Sequence, residues 1–220
     1  MKVSIIVPAY NEVDAIRSVI DGIKLLGMED REIIVVDDGS LDGTYDAAKG
    51  IGGITVLKHE KNLGKGVALK TGIGHSKGDV IITIDADGTY PADDIPRLIE
   101  KMEEGYDMAI GSRFLGKTNS MPKIRFLGNI FFSKMVSLTG GKEVSDASSG
   151  LRAFKKNIIN DMKIGSRNLS WEVEVTTKFL RKGFRIAEVP IEYSERIGKS
   201  KLRIWKDGFS FLFAILRSVV

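Results

Sequence analysis

The stretch that most restricts the fold of this chain is Val80-Ile81-Ile82-Thr83-Ile84, an apolar, mostly β-branched run that ends directly in Asp85-Ala86-Asp87. An unbroken run of strand length predicts a strand buried on both faces, as in a parallel sheet covered by helices. Such a strand ends at the carboxyl edge of the sheet, where open α/β folds bind ligands. Two carboxylates one residue apart at that edge need a cation if they are enclosed. Their hard oxygens suit Mg2+ or Mn2+, ions that commonly bring phosphate oxygens with them. The same aspartates also read as a solvated turn that starts the next helix, and the run by itself leaves both readings open.

The surrounding pattern extends the first argument. Strand signals at Val3–Val7, Glu32–Val36, Ile54–Lys58, Asp79–Ile84 and Asp107–Gly111 alternate with helical periodicity at Glu12–Leu26, Asp42–Lys49 and Gly64–His75. Five strands with crossover helices predict an open, mostly parallel α/β sheet flanked by helices. Pro91 falls where a first helical turn accepts proline, and Asp93 and Asp94 fall near its positive end, a structural role. The second half is less regular. Helices are expected at Ile124–Leu138, Leu169–Arg181 and Arg203–Val220, and a turn followed by a strand at Asp146–Phe154. Phe184–Tyr193 reads as a strand, and Pro190 within it predicts an edge position. Without repeats or linkers, residues 1–220 read as a single domain.

Composition narrows the functional classes. The 220 residues include no cysteine, which rules out disulfides and thiolate metal sites. A formal charge of +4 is too small an excess to point to nucleic acid. Val3–Val7 is too short for a signal peptide, and no stretch approaches the roughly 20 apolar residues of a membrane span. Phe209–Val220 is almost wholly apolar. It is expected to lie in a membrane interface or to lead into spanning segments.

Two further loops fall at the same sheet edge as the acid pair, because the strands before them run parallel. The first strand leads into Pro8-Ala9-Tyr10-Asn11-Glu12 and the second into Asp37-Asp38-Gly39-Ser40. A carboxylate there can accept hydrogen bonds from a base, and a tyrosine ring can stack on it. Asp37 and Asp38 also fit an Asx turn through Gly39. Gly64-Lys65-Gly66 opens a helix, which offers N–H groups to phosphate, but without the spacing of a P-loop. His59 and His75 lie outside these motifs and read as surface or helix-end residues.

The motifs Val36-Asp37-Asp38-Gly39-Ser40, Asp85-Ala86-Asp87, Gly111-Ser112-Arg113 and Ser149-Gly150-Leu151-Arg152-Ala153-Phe154, in this order, resemble family 2 inverting glycosyltransferases of the GT-A fold. Within that family the chain is most similar to the dolichyl- or polyprenyl-phosphate sugar synthases, and the resemblance covers Val3 to about Leu202. It implies a nucleotide-sugar-binding half over 1–115, an acceptor-binding half over 116–202, and a membrane-facing amphipathic helix over 203–220. It also implies transfer of a hexose, mannose or glucose, from a GDP- or UDP-sugar to a polyprenyl or dolichyl phosphate, with inversion, at the cytosolic face of a membrane.

Residue by residue, the resemblance places Pro8, Tyr10, Glu12, Asp37 and Asp38 around the nucleoside. Asp85 and Asp87, with Ala86 packed between, would hold Mg2+ or Mn2+ against the donor diphosphate. Thr89 stands where some relatives carry a glutamine, as a weaker further ligand. Arg113 would face the diphosphate or the acceptor phosphate, with Lys65 a charge contact to the donor. Arg196 and Lys199 belong to a basic loop that would close over the donor. Asp146 would sit near the acceptor, as a base or as the orienter of a basic residue; its plain alternative is a turn carboxylate paired with Arg152. Arg125, Lys134, Ser149 and Arg152 are the acceptor-side candidates. The helix over Ile124–Leu138 reads by periodicity as a core helix covering the sheet, whereas a lipid acceptor would make it interfacial.

Catalytic need agrees with this set. Glycosyl transfer expels a nucleoside diphosphate, and a divalent ion with arginine and lysine donors stabilises the charge as it develops. A phosphate acceptor, already anionic near neutral pH, needs positioning more than a base. Three other functions remain to be weighed. A sugar-hydroxyl acceptor is one, although neither Trp171 nor Trp205 is preceded by the Gln-x-x-Arg of processive enzymes. A sugar nucleotidyltransferase would carry a glycine-rich loop after the first strand, where this chain has none. A non-catalytic scaffold would have no reason to keep the acid pair.

Overall fold

The computed structural model describes residues 1–117, 121–198 and 204–219. Among them seven strands form one sheet: β1 (Val3–Ala9), β2 (Arg31–Asp37), β3 (Thr55–Lys58), β4 (Val80–Thr83), β5 (Met108–Lys117), β6 (Arg152–Lys155) and β7 (Ile186–Glu192). Their spatial order is β3-β2-β1-β4-β6-β5-β7. The parallel pairings β1–β2, β1–β4, β2–β3 and β5–β7 confirm the mostly parallel sheet. Pro190 does lie on an edge strand, β7, as expected from its missing N–H.

The sheet differs from the five-strand expectation in one respect that matters for the site. β6 runs antiparallel between β4 and β5. A reversed strand begins at the edge where its neighbours end, so the turn before it, residues 146–150, arrives beside the carboxyl ends of β4 and β5.

The α-helices among the described residues are α1 (Val13–Leu25), α2 (Thr44–Lys49), α3 (Lys65–His75), α4 (Ile95–Glu103), α5 (Lys123–Gly140), α6 (Lys156–Asn160), α7 (Trp171–Arg181) and α8 (Ile204–Val219). Pro91 precedes a 3₁₀ turn at Ala92–Asp94 that leads into α4, and Asp94 pairs with Arg97. Side chains alternate across β1 and β4 and feed two cores. Ile5 and Ile82 pack with Ile16, Ile20 and Leu98 of α1 and α4. Ile6 and Ile81 pack with Leu69, Trp171, Phe179 and Ile215 of α3, α7 and α8. Every residue of β4 is buried, as its composition requires.

α5 departs from the core-helix reading of its periodicity and leaves its apolar stripe bare, as does α8. Ile124, Leu127, Phe131 and Leu138 do share a stripe of α5, but that stripe is 58–84% exposed; the buried residues are Ser133 and Val136. On α8, Phe209, Phe213 and Leu216 point outward, while Phe211, Ala214 and Ile215 are buried. The two helices meet through the Phe132 and Phe211 rings, 5.2 Å apart. Their outer faces together form an exposed apolar surface. Among the described residues no helix is long and apolar enough to cross a membrane.

Candidate active site

A cavity of about 840 Å3 opens at the carboxyl edge of the sheet, within the size range of small-molecule sites. Pro8 near the end of β1, Tyr10 and Glu12 after it, Asp38 after β2, and Asp85, Ala86, Asp87 and Thr89 after β4 all line it. Lys65 reaches it from the first turn of α3, Arg113 from β5, Arg125 from α5, and Arg196 from the segment after β7. The topology therefore gathers twelve of the anticipated residues from seven places in the chain.

The acid pair is held by cations of the protein itself. Lys65 Nζ lies 2.5 Å from Asp85 Oδ1 and 2.7 Å from Glu172 Oε1. Burial works against the Lys65 charge, but the two carboxylates prevail and hold its pKa well above the ordinary lysine value. Arg196 bridges Asp87, at 2.5 Å, and Glu12. Thr89 Oγ1 donates to Asp87 Oδ1 at 2.6 Å and so orients the carboxylate. Among the described residues, four carboxylates here meet two cations, Lys65 and Arg196.

That imbalance fits a divalent ion. Among the described residues no group of three or more His, Cys, Asp or Glu side chains could hold a metal. Two carboxylates completed by substrate oxygens are instead the usual way Mg2+ is bound. Gly150 leaves the room: a Cβ there would sit 2.7 Å from Asp85 Oδ2.

Arg113 and Asp146 form a second, buried pair. Arg113 Nε and Nη2 donate to Asp146 Oδ2 and Oδ1, each at 2.7 Å, and the Arg113 N–H also donates to Oδ2. Burial opposes the guanidinium charge, but Asp146 raises its pKa well above the ordinary arginine value. Glu188 of β7 accepts from Ser145 and Asp146 N–H and fixes this turn. Both Asp146 oxygens are committed and the residue is fully buried, so it orients Arg113. The alternative pairing with Arg152 does not form.

Arg152 itself is no acceptor contact. It is fully buried, and its guanidinium donates to the carbonyls of Ala147, Ser149 and Glu172 and to Thr176 Oγ1. Burial lowers its pKa, against the pull of Glu172 and Asp146. It ties the turn before β6 to α7. Lysine cannot reproduce this fork, so Arg152→Lys should cost about 3 kcal/mol in a denaturant titration while the acceptor KM stays unchanged. Ser149 likewise points inward, donating to the Gly111 carbonyl. Lys134 is on the exposed side of α5, outside the cavity. Lys199 lies outside the described residues.

The Asp37-Asp38 pair divides its work. Asp38 faces the cavity, but its oxygens accept from Leu63 and Gly64 N–H and contact His59 Nδ1 at 2.7 Å. It shapes the loop into α3, where Gly64 adopts a φ of 104° and passes so close to Arg167 and Asn168 that a side chain would clash. Asp37 is fully buried, and its Oδ1 has no hydrogen-bond partner. His59 is therefore not a surface residue: it joins Asp38 to Thr71 of α3. His75 is exposed, as expected.

Glu172, Tyr90 and His59 escaped the motif reading. Glu172 is 3% exposed in the first turn of α7, and Tyr90 accepts the Gly150 N–H through its buried hydroxyl. Glu172 had one available signal, shared with Glu174: an acid in the first turn of a helix expected to cover the sheet.

Comparison with known proteins agrees with this geometry. Residues 4–163 match the profile of Glycosyl transferase family 2. The chain is 33% identical over 217 residues to the dolichyl-phosphate hexose transferase of Haloferax volcanii, covering 99% of this chain and 92% of that protein. It is 33% identical over 228 residues to the dolichol-phosphate mannosyltransferase of Pyrococcus furiosus, of which it spans 63%. Among solved structures it is similar to glucosyl-3-phosphoglycerate synthase of Mycobacterium tuberculosis in complex with Mn2+, UDP and phosphoglyceric acid. That likeness has a TM-score of 0.79 at 22% identity, covers 99% of this chain and 78% of the other, and establishes the GT-A fold.

Proposed function

Because the chain belongs to glycosyl transferase family 2, we propose that it transfers a hexose, mannose or glucose, from a GDP- or UDP-sugar to a polyprenyl or dolichyl phosphate with inversion. The single observation that carries the reading is the pair of carboxylates, Asp85 and Asp87, set inside a cavity that also holds Arg113 and Arg125. The names of the relatives from Haloferax and Pyrococcus support the lipid-phosphate acceptor.

In this reading the 1–115 half takes the donor. Tyr10 offers a ring to the base, and Asp38 keeps the Leu63–Gly64 wall of the pocket in shape. Asp85 and Asp87 would hold Mg2+ or Mn2+, which when bound neutralises charge on the departing diphosphate. Arg113, held rigid by Asp146, presents a guanidinium to phosphate without having to reorganise. Arg196, whose buried Nε has no hydrogen-bond partner, supplies a second donor beside Asp87. On the acceptor side Arg125 is the cation of α5 that lines the cavity. No carboxylate need act as base, since an acceptor phosphate with a second pKa of about 6 is already an anion at neutral pH.

The outer faces of α5 and α8 supply the membrane contact, peripheral and on the cytosolic side. Leu127, Phe131 and Phe213 are 58–66% exposed, and Lys123 and Lys134 stand nearby on α5, an interfacial arrangement. Flotation with vesicles containing anionic phospholipid should recover the protein. Leu127→Glu with Phe213→Glu should release it while leaving its melting temperature unchanged; retention of the double variant would remove the membrane face from the proposal.

A thermal-shift panel of GDP-mannose, UDP-glucose and related donors, each with and without Mn2+, tests the donor. Ligand at 100 times its Kd adds about 2.7 kcal/mol to native stability, enough to see. One donor should stabilise the protein with Mn2+ present. Transfer to a short polyprenyl phosphate and none to free sugars then identifies the acceptor; the opposite result would make this a sugar-hydroxyl transferase.

A further inference from the structure

Lys65 is a rival of any divalent ion at Asp85. Its ammonium lies 2.5 Å from Asp85 Oδ1, on the carboxylate that the proposed function assigns to the metal. A cation displaced from Asp85 inside a cavity wall needs another anion, because a buried ammonium without one is costly and one beside Mn2+ is repelled. Glu172 meets that need. Its Oε1 is 2.7 Å from the same ammonium, and its side chain is only 4% exposed. The residue is also firmly placed. Its carbonyl accepts hydrogen bonds from Arg152 Nη1 and Thr176 Oγ1, which fix the first turn of α7.

The arrangement is more than neutralisation of Asp85 requires. Lys65 alone would balance that carboxylate, and a second acid buried beside the pair adds a desolvation cost with no return in the ligand-free state. The return comes when the ion binds. Asp85 then turns to the ion, and Lys65 and Glu172 close into a neutral pair. We propose that Glu172 is a positioning residue that holds the Lys65 ammonium off Asp85 and thereby sets the affinity for the divalent ion. The inference rests on the assignment of Asp85 as a carboxylate that takes such an ion. The second ion-pair bridge of the cavity repeats the logic in outline, with Arg196 joining Asp87 to Glu12.

The test is Mn2+ binding, read from the electron paramagnetic resonance of free Mn2+, with GDP or UDP present, whichever stabilises the wild type. Glu172→Gln keeps shape and loses charge, and should weaken Mn2+ binding about tenfold, within the usual range of coupling between sites. Glu172→Asp should recover most of that loss. In a Lys65→Met background, where no ammonium needs holding, the same Glu172→Gln change should shift affinity by no more than about twofold. Equal losses in the two backgrounds would mean that Glu172 acts only through its field and would overturn the inference, as would an unchanged affinity in Glu172→Gln. Should Glu172→Gln not fold, Lys65→Met carries the test by itself: with no ammonium on Asp85 it should bind Mn2+ at least as tightly as the wild type, and weaker binding would overturn the inference. If the wild type binds no Mn2+ with either nucleotide, the metal assignment fails and takes the inference with it.

Discussion

Asp85→Asn and Asp87→Asn should each lower turnover by a factor of 100–1,000 or more, the cost of removing one preorganised group from a developing charge, about 3–4 kcal/mol. The fold should survive both changes. Each substitution frees a cation, but neither cation is stranded, since Lys65 keeps Glu172 and Arg196 keeps Glu12. Circular dichroism and thermal melts of the two variants should therefore overlay the wild type, while transfer of radiolabelled hexose to polyprenyl phosphate collapses. Chelation should mimic the substitutions, and added Mn2+ should rescue the wild type but not the variants. Near-wild-type turnover of either variant with EDTA present would end the metal reading.

The second large effect is on stability. Asp146→Ala leaves the Arg113 guanidinium, whose side chain is 8% exposed, without its bidentate anion. Breaking a buried pair from one side costs roughly 3–5 kcal/mol. For a domain of this size that corresponds to a fall in melting temperature of about 6–20 °C. Three hydrogen bonds from Arg113 end on this carboxylate, and Glu188 fixes the turn that bears it, so there is little room for the turn to relax. Asp146→Ala combined with Arg113→Met should recover much of the stability, because the stranded charge is gone, yet it should stay inactive. A double variant no more stable than Asp146→Ala would show that the pair matters through packing rather than charge.

The two predictions separate roles that the motifs alone merge. Asp87 and Asp146 are both aspartates near the ends of motifs, and both pair with arginine. Asp87 faces a cavity and shares its arginine with Glu12. Asp146 is fully enclosed and gives its oxygens to a single guanidinium. Turnover should follow the first and folding the second.

How much of this was legible beforehand depends on the kind of information each residue carries. The β-branched runs at Val3–Val7 and Val80–Ile84 specify central strands whatever surrounds them, because only burial on both faces suits such a composition. Parallel connection then fixes which ends of the strands meet, so Pro8, Tyr10, Asp38, Asp85 and Asp87 reach one edge by topology alone. Pro190 announced an edge strand because it has no N–H to donate.

Periodicity is weaker on what lies against a face. It grouped Ile124, Leu127, Phe131 and Leu138 correctly, yet it could not say that the group meets solvent, because the covering element is chosen elsewhere in the chain. Nor could spacing choose ion partners. Arg196 and Asp87 are 109 residues apart, and the choice of Arg113 over the nearer Arg152 for Asp146 followed from an antiparallel β6 that turns Arg152 into the core. The amino-acid sequence by itself determined an α/β sheet with an acidic ledge at its carboxyl edge, since burial and chain direction are local consequences of composition. Only the tertiary structure decided which cations guard that ledge and which apolar stripe stays bare, since both depend on contacts between segments that nothing local brings together.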